Sequence, residues 1–321
     1  MKTLSTIFYF ILLCIVVFVR CTGDKSSVSI FPKIMHPTDN QSTEAKIALG
    51  KRLFFDKRLS LNNEISCASC HQSKLALTDG KSIASGVEDR LAFRNTPSLY
   101  NVAYASRFMY DGEIKSLEEQ VLVPILDHNE MGASMGVVIK KLKAIPEYQD
   151  AAREVFGRDF DAWVLTRSIA CYERTLISDN SDFDRYHFNK EEGAISESAK
   201  RGWKLFSEKL KCTACHTPPY FTDFKMHNNG RTSMNSADLG RFRINNDSTE
   251  IGFFKTPSLR NCGLTAPYMH DGSLETLDDV IDYYAKGGGQ GVNQERRIKP
   301  FVIKENEKND LKNFLKSLED Y

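Results

Sequence analysis

The string Cys-x-x-Cys-His occurs twice, as Cys67-Ala68-Ser69-Cys70-His71 and as Cys212-Thr213-Ala214-Cys215-His216. Two thiols and an imidazole at this spacing suit one task. The thiols add across the vinyl groups of a haem, and the histidine ligates its iron from the proximal side. A redox C-x-x-C pair or half a zinc site would use the same residue types. Zinc, however, needs Cys/His partners at matched spacing, and no second pair accompanies either string. The expected cofactors are therefore two covalently bound haem c groups, one on Cys67, Cys70 and His71, the other on Cys212, Cys215 and His216.

The surroundings of the two strings repeat as well. Gly50-Lys51-Arg52-Leu53-Phe54 precedes the first, and Gly202-Trp203-Lys204-Leu205-Phe206 precedes the second. Downstream, residues 96–121 align without gaps with residues 256–281. Thr-Pro-Ser-Leu opens both, Asn101 meets Asn261, Met109 meets Met269, Asp111-Gly112 meets Asp271-Gly272, and Leu117 meets Leu277. Repetition at this level marks a duplicated unit. Each unit runs helix, haem string, loop, Thr-Pro-Ser-Leu, Asp-Gly, helix. The expected fold is mainly α: two tandem cytochrome-c-like domains, residues 22–186 and 187–321, after a leader at 1–21.

Apolar residues recur at helical spacing in Glu44 to Phe55, Val137 to Ile145, Asp161 to Leu176, Glu197 to Phe206, Leu277 to Tyr284 and Glu307 to Leu318. No long alternating strand pattern appears. Stretches 56–108 and 207–270 read as long loops, as expected where a cofactor supplies much of the core. The polar segment Asp179 to Gly193 reads as the linker.

The apolar run Ile7 to Val19 is a secretory signal, too short for a membrane span. Cys21, followed by Thr22-Gly23-Asp24, looks like a lipidation site despite the unusual Arg20 before it. The expected location is thus the periplasm or cell envelope, with membrane contact only through a lipid on Cys21. A net charge of +1 and the lack of a basic tract argue against nucleic acid as a partner. Cys171 and Cys262 sit in apolar contexts and read as small buried residues.

A C-x-x-C-H string supplies one axial ligand, and the opposite face of the haem decides between electron transfer and chemistry. Extending the repeat by three residues sets Pro124 against Tyr284. Proline cannot ligate iron and tyrosine can, which would leave the first haem open and the second closed. Tyr284 also fits as an ordinary residue of an amphipathic helix.

Leu53-Phe54-Phe55-Asp56-x-Arg58-Leu59-Ser60, Ser66 to His71, Arg94-Asn95-Thr96-Pro97-Ser98-Leu99 and Thr265-Ala266-Pro267-Tyr268-Met269-His270-Asp271-Gly272-Ser273-Leu274 resemble the bacterial di-haem cytochrome c peroxidase family, which includes the MauG-type enzymes. The resemblance covers nearly all of residues 40–318. It implies a peroxidatic N-terminal haem and an electron-transfer C-terminal haem. It also assigns positions. Glu130 falls where the family keeps a distal catalytic glutamate, and Gln120 where it keeps a distal glutamine. Tyr110 takes the place of the inter-haem tryptophan. Tyr284 takes the place of a ligand that is methionine in ordinary peroxidases and tyrosine in MauG-type enzymes.

The resemblance also implies that Asn95 with the carbonyls of Thr265 and Pro267 would hold a Ca²⁺ between the domains. The loop Gln72 to Arg94 lacks the histidine that caps the first haem in many relatives. Leu210 replaces a surface tryptophan that MauG-type enzymes use to oxidise a partner protein. The resulting expectation is a peroxidase acting on hydrogen peroxide, with a small donor protein, a cytochrome c or a cupredoxin, supplying electrons. A protein-modifying MauG-type oxidase and a non-catalytic di-haem electron carrier are the alternatives. The resemblance leaves room for a homodimer.

Overall fold

The computed structural model describes residues 29–320, so the leader and Cys21 lie outside the described residues. The chain is mostly helical. In order it forms α1 Glu44–Phe54, α2 Cys67–Cys70, α3 Leu117–Gln120, α4 Leu122–Leu126, α5 Met135–Lys143, α6 Pro146–Phe156, α7 Ala162–Glu173, α8 Asp182–His187, α9 Glu197–Lys204, α10 Phe242–Asn245, α11 Leu277–Ala285 and α12 Glu305–Lys316. Among the described residues, strands are limited to β1 Met226–His227 paired antiparallel with β2 Phe254–Lys255. No helix there is long and apolar enough to cross a membrane.

Caps set many helix ends. Thr43, Ser116, Ser134, Asp161, Ser196 and Thr276 each accept a hydrogen bond from the backbone N–H two or three residues inside their helix. Proline at the first position of α6 and a left-handed Gly157 after its last turn close that helix at both ends.

The duplication is visible in three dimensions. α1 crosses α7 in the first half as α9 crosses α12 in the second. At each crossing one glycine lets the backbones touch. A Cβ on Gly50 would lie 1.9 Å from the Ser168 carbonyl oxygen, and one on Gly202 would lie 2.0 Å from that of Asp310. Asn101 and Asn261 both take left-handed φ, 62° and 60°, as do Met109 and Met269. Asparagine adopts that region more readily than most residues. Each half also has the same isolated bridge, Phe108 with Ile114 and Tyr268 with Leu274.

Two apolar clusters form the core. One is built on Leu53, Phe54, Leu59, Val138, Leu142, Phe160, Leu165 and Ile169, the other on Phe183, Phe206, Phe221, Ile281, Leu311, Phe314 and Leu318. The segment expected as a polar linker is not one. It contains α8, whose Phe183 is fully buried in the second cluster. Asp184 on the same helix takes a bidentate pair from Arg260, at 2.7 and 2.8 Å, with both side chains essentially inaccessible. The change-over between clusters therefore falls ahead of α8, before the expected boundary at 186/187. The composition of residues 179–193 is polar because α8 is short and only one side of it is apolar.

Several contacts bind the halves together. Ser178 bonds the side chains of both repeat asparagines, Asn101 and Asn261. The Phe31 ring packs on Tyr104 of the first half and stacks on Tyr220 of the second. Arg94 reaches Asp111 at 2.8 Å and Asp238 at 2.7 Å, while Arg243 bonds Asp111 and Glu113.

Candidate active site

A cavity of about 840 Å³ runs through both halves and is lined by both C-x-x-C-H strings. A dry void of that size would cost on the order of 20 kcal/mol at ~24 cal/mol per Å³. That exceeds the ~5–15 kcal/mol of net stability typical of a folded protein. The cavity is therefore shaped to be filled by something large.

The motif residues are set up to hold it. None of the described cysteines is in a disulfide. Burial raises the Cys67 thiol, and pushes Cys70 to about 11 and Cys212 to about 12, so without a bound group these are protonated thiols. His71 donates its Nδ1–H to the Leu77 carbonyl at 2.8 Å, and His216 does the same to Phe221 at 3.1 Å. Each bond fixes the tautomer and leaves Nε2 as a free lone pair. Burial lowers both imidazoles, which keeps them neutral. Cys215, Asp223 and His227 also come within 4.8 Å of one another. Cys215 belongs to the second string, so this grouping is the rim of that string's pocket and not a separate metal site. Two thiols and an imidazole lone pair, twice over, in one apolar cavity fit two haem c groups.

The two halves of the cavity lining differ. In the first half the lining includes Pro124, Gln120 and Glu130, and the loop after the first string contributes Thr78, Ala84, Ser85, Gly86, Ala92, Phe93 and Arg94. Glu130 is held by its backbone. Its carbonyl accepts from Val87 N–H at 2.7 Å, and its own N–H donates to the Asp127 carbonyl at 3.1 Å. Gly86 lies so close that a Cβ there would be 2.0 Å from the Asn129 carbonyl oxygen. Among the described residues the Glu130 carboxyl has no hydrogen-bond partner. Burial, with Asp127 nearby, raises it to about 7.

In the second half the lining includes Met269 and Tyr284. The Asn229 amide sits between them, 3.5 Å from the Met269 sulfur and 3.4 Å from the Tyr284 hydroxyl. Burial raises the Tyr284 phenol, partly offset by that amide. Between the halves lies Tyr110, half-buried, its hydroxyl donating to Asn95 Oδ1 at 3.3 Å. Asn95 N–H in turn donates to the His270 carbonyl at 2.8 Å, and the His270 ring stacks on Phe254 at 3.9 Å. Thr265 and Pro267 line the same cavity as Asn95. Leu210 is half-buried, packed against the second cluster.

Residues 44–192 match the family model described as di-haem cytochrome c peroxidase. The chain is 40% identical over 287 residues to the methylamine utilization protein MauG of Methylorubrum extorquens, covering 89% of this chain and 81% of that one. This chain belongs to the di-haem cytochrome c peroxidase family. It is also 34% identical to the cytochrome-c peroxidase IdrP1 of a Pseudomonas species, over 89% of this chain and 84% of that protein. Among solved structures, a MauG-like protein associated with microbial copper homeostasis superposes with a TM-score of 0.83 at 31% identity, over 91% of this chain and 95% of that one. The family's members are oxidoreductases, and its di-haem character implies two haem c cofactors here. This chain's MauG relatives match at 37–40% identity and its peroxidase relatives at 29–34%.

All the residues expected at the site line this one cavity. The sequence reading missed Asn229 between the two candidate ligands and Glu173, an acid in a helix otherwise read only by its apolar spacing. Met269 was legible from the repeat, since its partner Met109 lines the cavity too.

Proposed function

We propose that the chain reduces hydrogen peroxide to water with electrons from a small donor protein, a cytochrome c or a cupredoxin. In this reading each half is a cytochrome-c-like domain carrying one covalent haem. Cys67 and Cys70 attach the first and His71 ligates it; Cys212, Cys215, His216 and Tyr284 do the same for the second. When bound, the haems supply the open iron and the electrons that cleave the O–O bond.

The protein's own groups handle protons. Glu130 would take a proton from one peroxide oxygen and return it to the departing one, which needs a carboxyl poised near neutrality. Gln120, lining the same cavity, orients the peroxide by its amide. Tyr110, half-buried between the halves, relays electrons from the second site. Over a cycle, one peroxide, two electrons and two protons give two waters. The observation that carries this reading is the contrast between the two halves of the cavity lining: Pro124 and Glu130, an acid without a hydrogen-bond partner among the described residues, in the first, and Tyr284 in the second.

Denaturing mass spectrometry of protein made in a haem-maturing host should give the chain plus two haems, and the ferric spectrum should contain one high-spin haem. A single haem, or two low-spin haems, sinks the peroxidase reading. A MauG-type oxidase acting on a partner protein is the second reading, favoured by Tyr284 at the ligand position and by the 40% identity to MauG. Against it stands Leu210, a half-buried leucine where that chemistry uses a surface tryptophan. Oxidation of a reduced small donor by peroxide separates the two.

We further propose that Asn95 and the carbonyls of Thr265 and Pro267 hold a Ca²⁺. Among the described residues Asn95 Oδ1 accepts only the 3.3 Å bond from Tyr110, which leaves it a lone pair. So few protein oxygens imply several waters, which Ca²⁺ tolerates. Chelation should then disturb Tyr110 and change activity and haem spectra together. Metal analysis finding no calcium in fully active protein rules the site out.

A further inference from the structure

The duplication sets two helix faces in equivalent places, and one residue breaks the equivalence. The Gly50 crossing places Ser168 and the Tyr172 Cβ against α1; the Gly202 crossing places Asp310 and the Phe314 Cβ against α9. Tyr172 therefore corresponds to Phe314, and the next residues, Glu173 and Leu315, correspond to each other. Four residues earlier, Ile169 corresponds to Leu311. All four line the cavity. Positions i and i+4 share a helix face, so each half presents a two-residue stripe to its haem pocket. In the second half both residues are leucine. In the first half one is a glutamate.

Glu173 is 4% exposed. Its Oε2 is buried with no hydrogen-bond partner among the described residues. It lies close enough to Cys67 to raise that thiol, which places it at the edge where the first haem would be attached. The charged groups that face it are few. Arg174, next on its own helix, is committed to Glu118 of α3 through two bonds of 2.7 and 3.0 Å. Glu118 itself opposes ionisation of Glu173, and Arg174 favours it. Cys67 of α2 would become an uncharged thioether. α1 presents only Leu49, Gly50, Leu53 and Phe54 as buried residues. A carboxylate in such a place, unpaired and out of water, is costly.

We propose that Glu173 is a redox-linked proton site of the first haem pocket, protonated while the haem is reduced and ionised once it is oxidised. This rests on the reading that a haem fills that half of the cavity. One electron leaves the haem, to peroxide in turnover or to an electrode mediator in a test. One O–H bond of the carboxyl breaks, its electron pair stays on the oxygen, and the proton goes to water. The negative charge then offsets the positive charge gained at the iron. Leu315 can do nothing of the kind, so the second haem lacks this link. Burial sets Glu173 at about 8, which puts the exchange in an accessible pH range.

The test is spectroelectrochemical titration of holoprotein over a pH range centred on about 8. At a fixed applied potential, the oxidised-to-reduced ratio of the first haem should rise with pH, approaching tenfold per unit for one proton per electron. Glu173→Gln, which preserves size, and Glu173→Leu, which copies the second half, should each lower that slope by one proton, with the second haem unchanged. An equal slope in wild type and both variants overturns the proposal, as does a flat wild type. Wild type also offers a check that needs no variant. Its oxidised-minus-reduced infrared difference spectrum should show loss of a protonated-carboxyl C=O band, and absence of that loss is equally fatal. Haem content and peroxide reactivity are measured separately. Protein with two haems that reacts with peroxide yet shows no proton link would fail this inference while leaving the peroxidase reading intact.

Discussion

Glu130→Gln should slow the reaction of the ferric protein with peroxide by about 10²–10⁴-fold, the usual contribution of a positioned acid–base group. The change keeps the side chain's size and its backbone anchors, the bonds to Val87 and Asp127. Both haems should stay bound, and small neutral ligands should still reach the iron past Pro124. The pH dependence follows from the carboxyl being raised to about 7 by burial. Only its ionised form accepts a proton, so the wild-type rate should climb with pH through about 7 and level off above. The slow reaction of the variant should lack that step.

Stability should move the other way. A carboxyl whose folded pKa is raised loses stability as pH increases from its ordinary range toward 7, because the folded state binds the extra proton. Glu130→Gln should therefore be no less stable than wild type at neutral pH. Stopped-flow mixing with peroxide settles the matter. If the variant reacts as fast as wild type, Glu130 is a bystander and the electron-carrier reading gains ground.

Tyr284→Phe should open the second haem. Cyanide should then bind two haems per chain where wild type binds one, and the high-spin fraction of the ferric spectrum should double. The rival is Met269, since one amide, that of Asn229, lies 3.4 Å from the phenol oxygen and 3.5 Å from the sulfur. The repeat weighs against the methionine. Met109 stands at the same register and the same left-handed φ in the first half, so a ligand role for one would call for the same in the other. Met269→Leu should leave cyanide binding at one. The reverse pattern, opening by Met269→Leu and none by Tyr284→Phe, would transfer the ligand role to the sulfur. Asn229 gains interest either way. A donor 3.4 Å from the phenol would stabilise its anion, and an anionic ligand favours oxidised iron.

Much of this was legible in the residues themselves. The two C-x-x-C-H strings name a cofactor because thiol addition and axial ligation depend on spacing within five residues, and spacing is local. The duplication could be read from Thr-Pro-Ser-Leu, the paired asparagines and the Asp-Gly turns, because each occupies a backbone conformation that few residues tolerate. Helices with caps and strong periodicity fell close to where they were expected. The contrast between Pro124 and Tyr284 was visible as soon as the repeat register was set.

Only the tertiary structure showed that α8 belongs to the second core. Its polar composition conceals a single Phe183, and the Arg260–Asp184 pair that docks it joins residues far apart in sequence. Glu130 could be picked from sequence as an acid. That it is half-buried, raised and without a hydrogen-bond partner among the described residues comes from the Val87 bond and the close approach of Gly86, both long-range. Glu173 was hidden for a related reason. The loops between the Asp-Gly turn and the last helix differ in length in the two halves, so the register that aligns Met109 with Met269 does not align Glu173 with Leu315. Their equivalence appears only where each helix crosses its glycine. Short-range chemistry is written in neighbouring residues. Burial and partnering are properties of segments brought together, and they decide which of many acids acquires a proton to exchange.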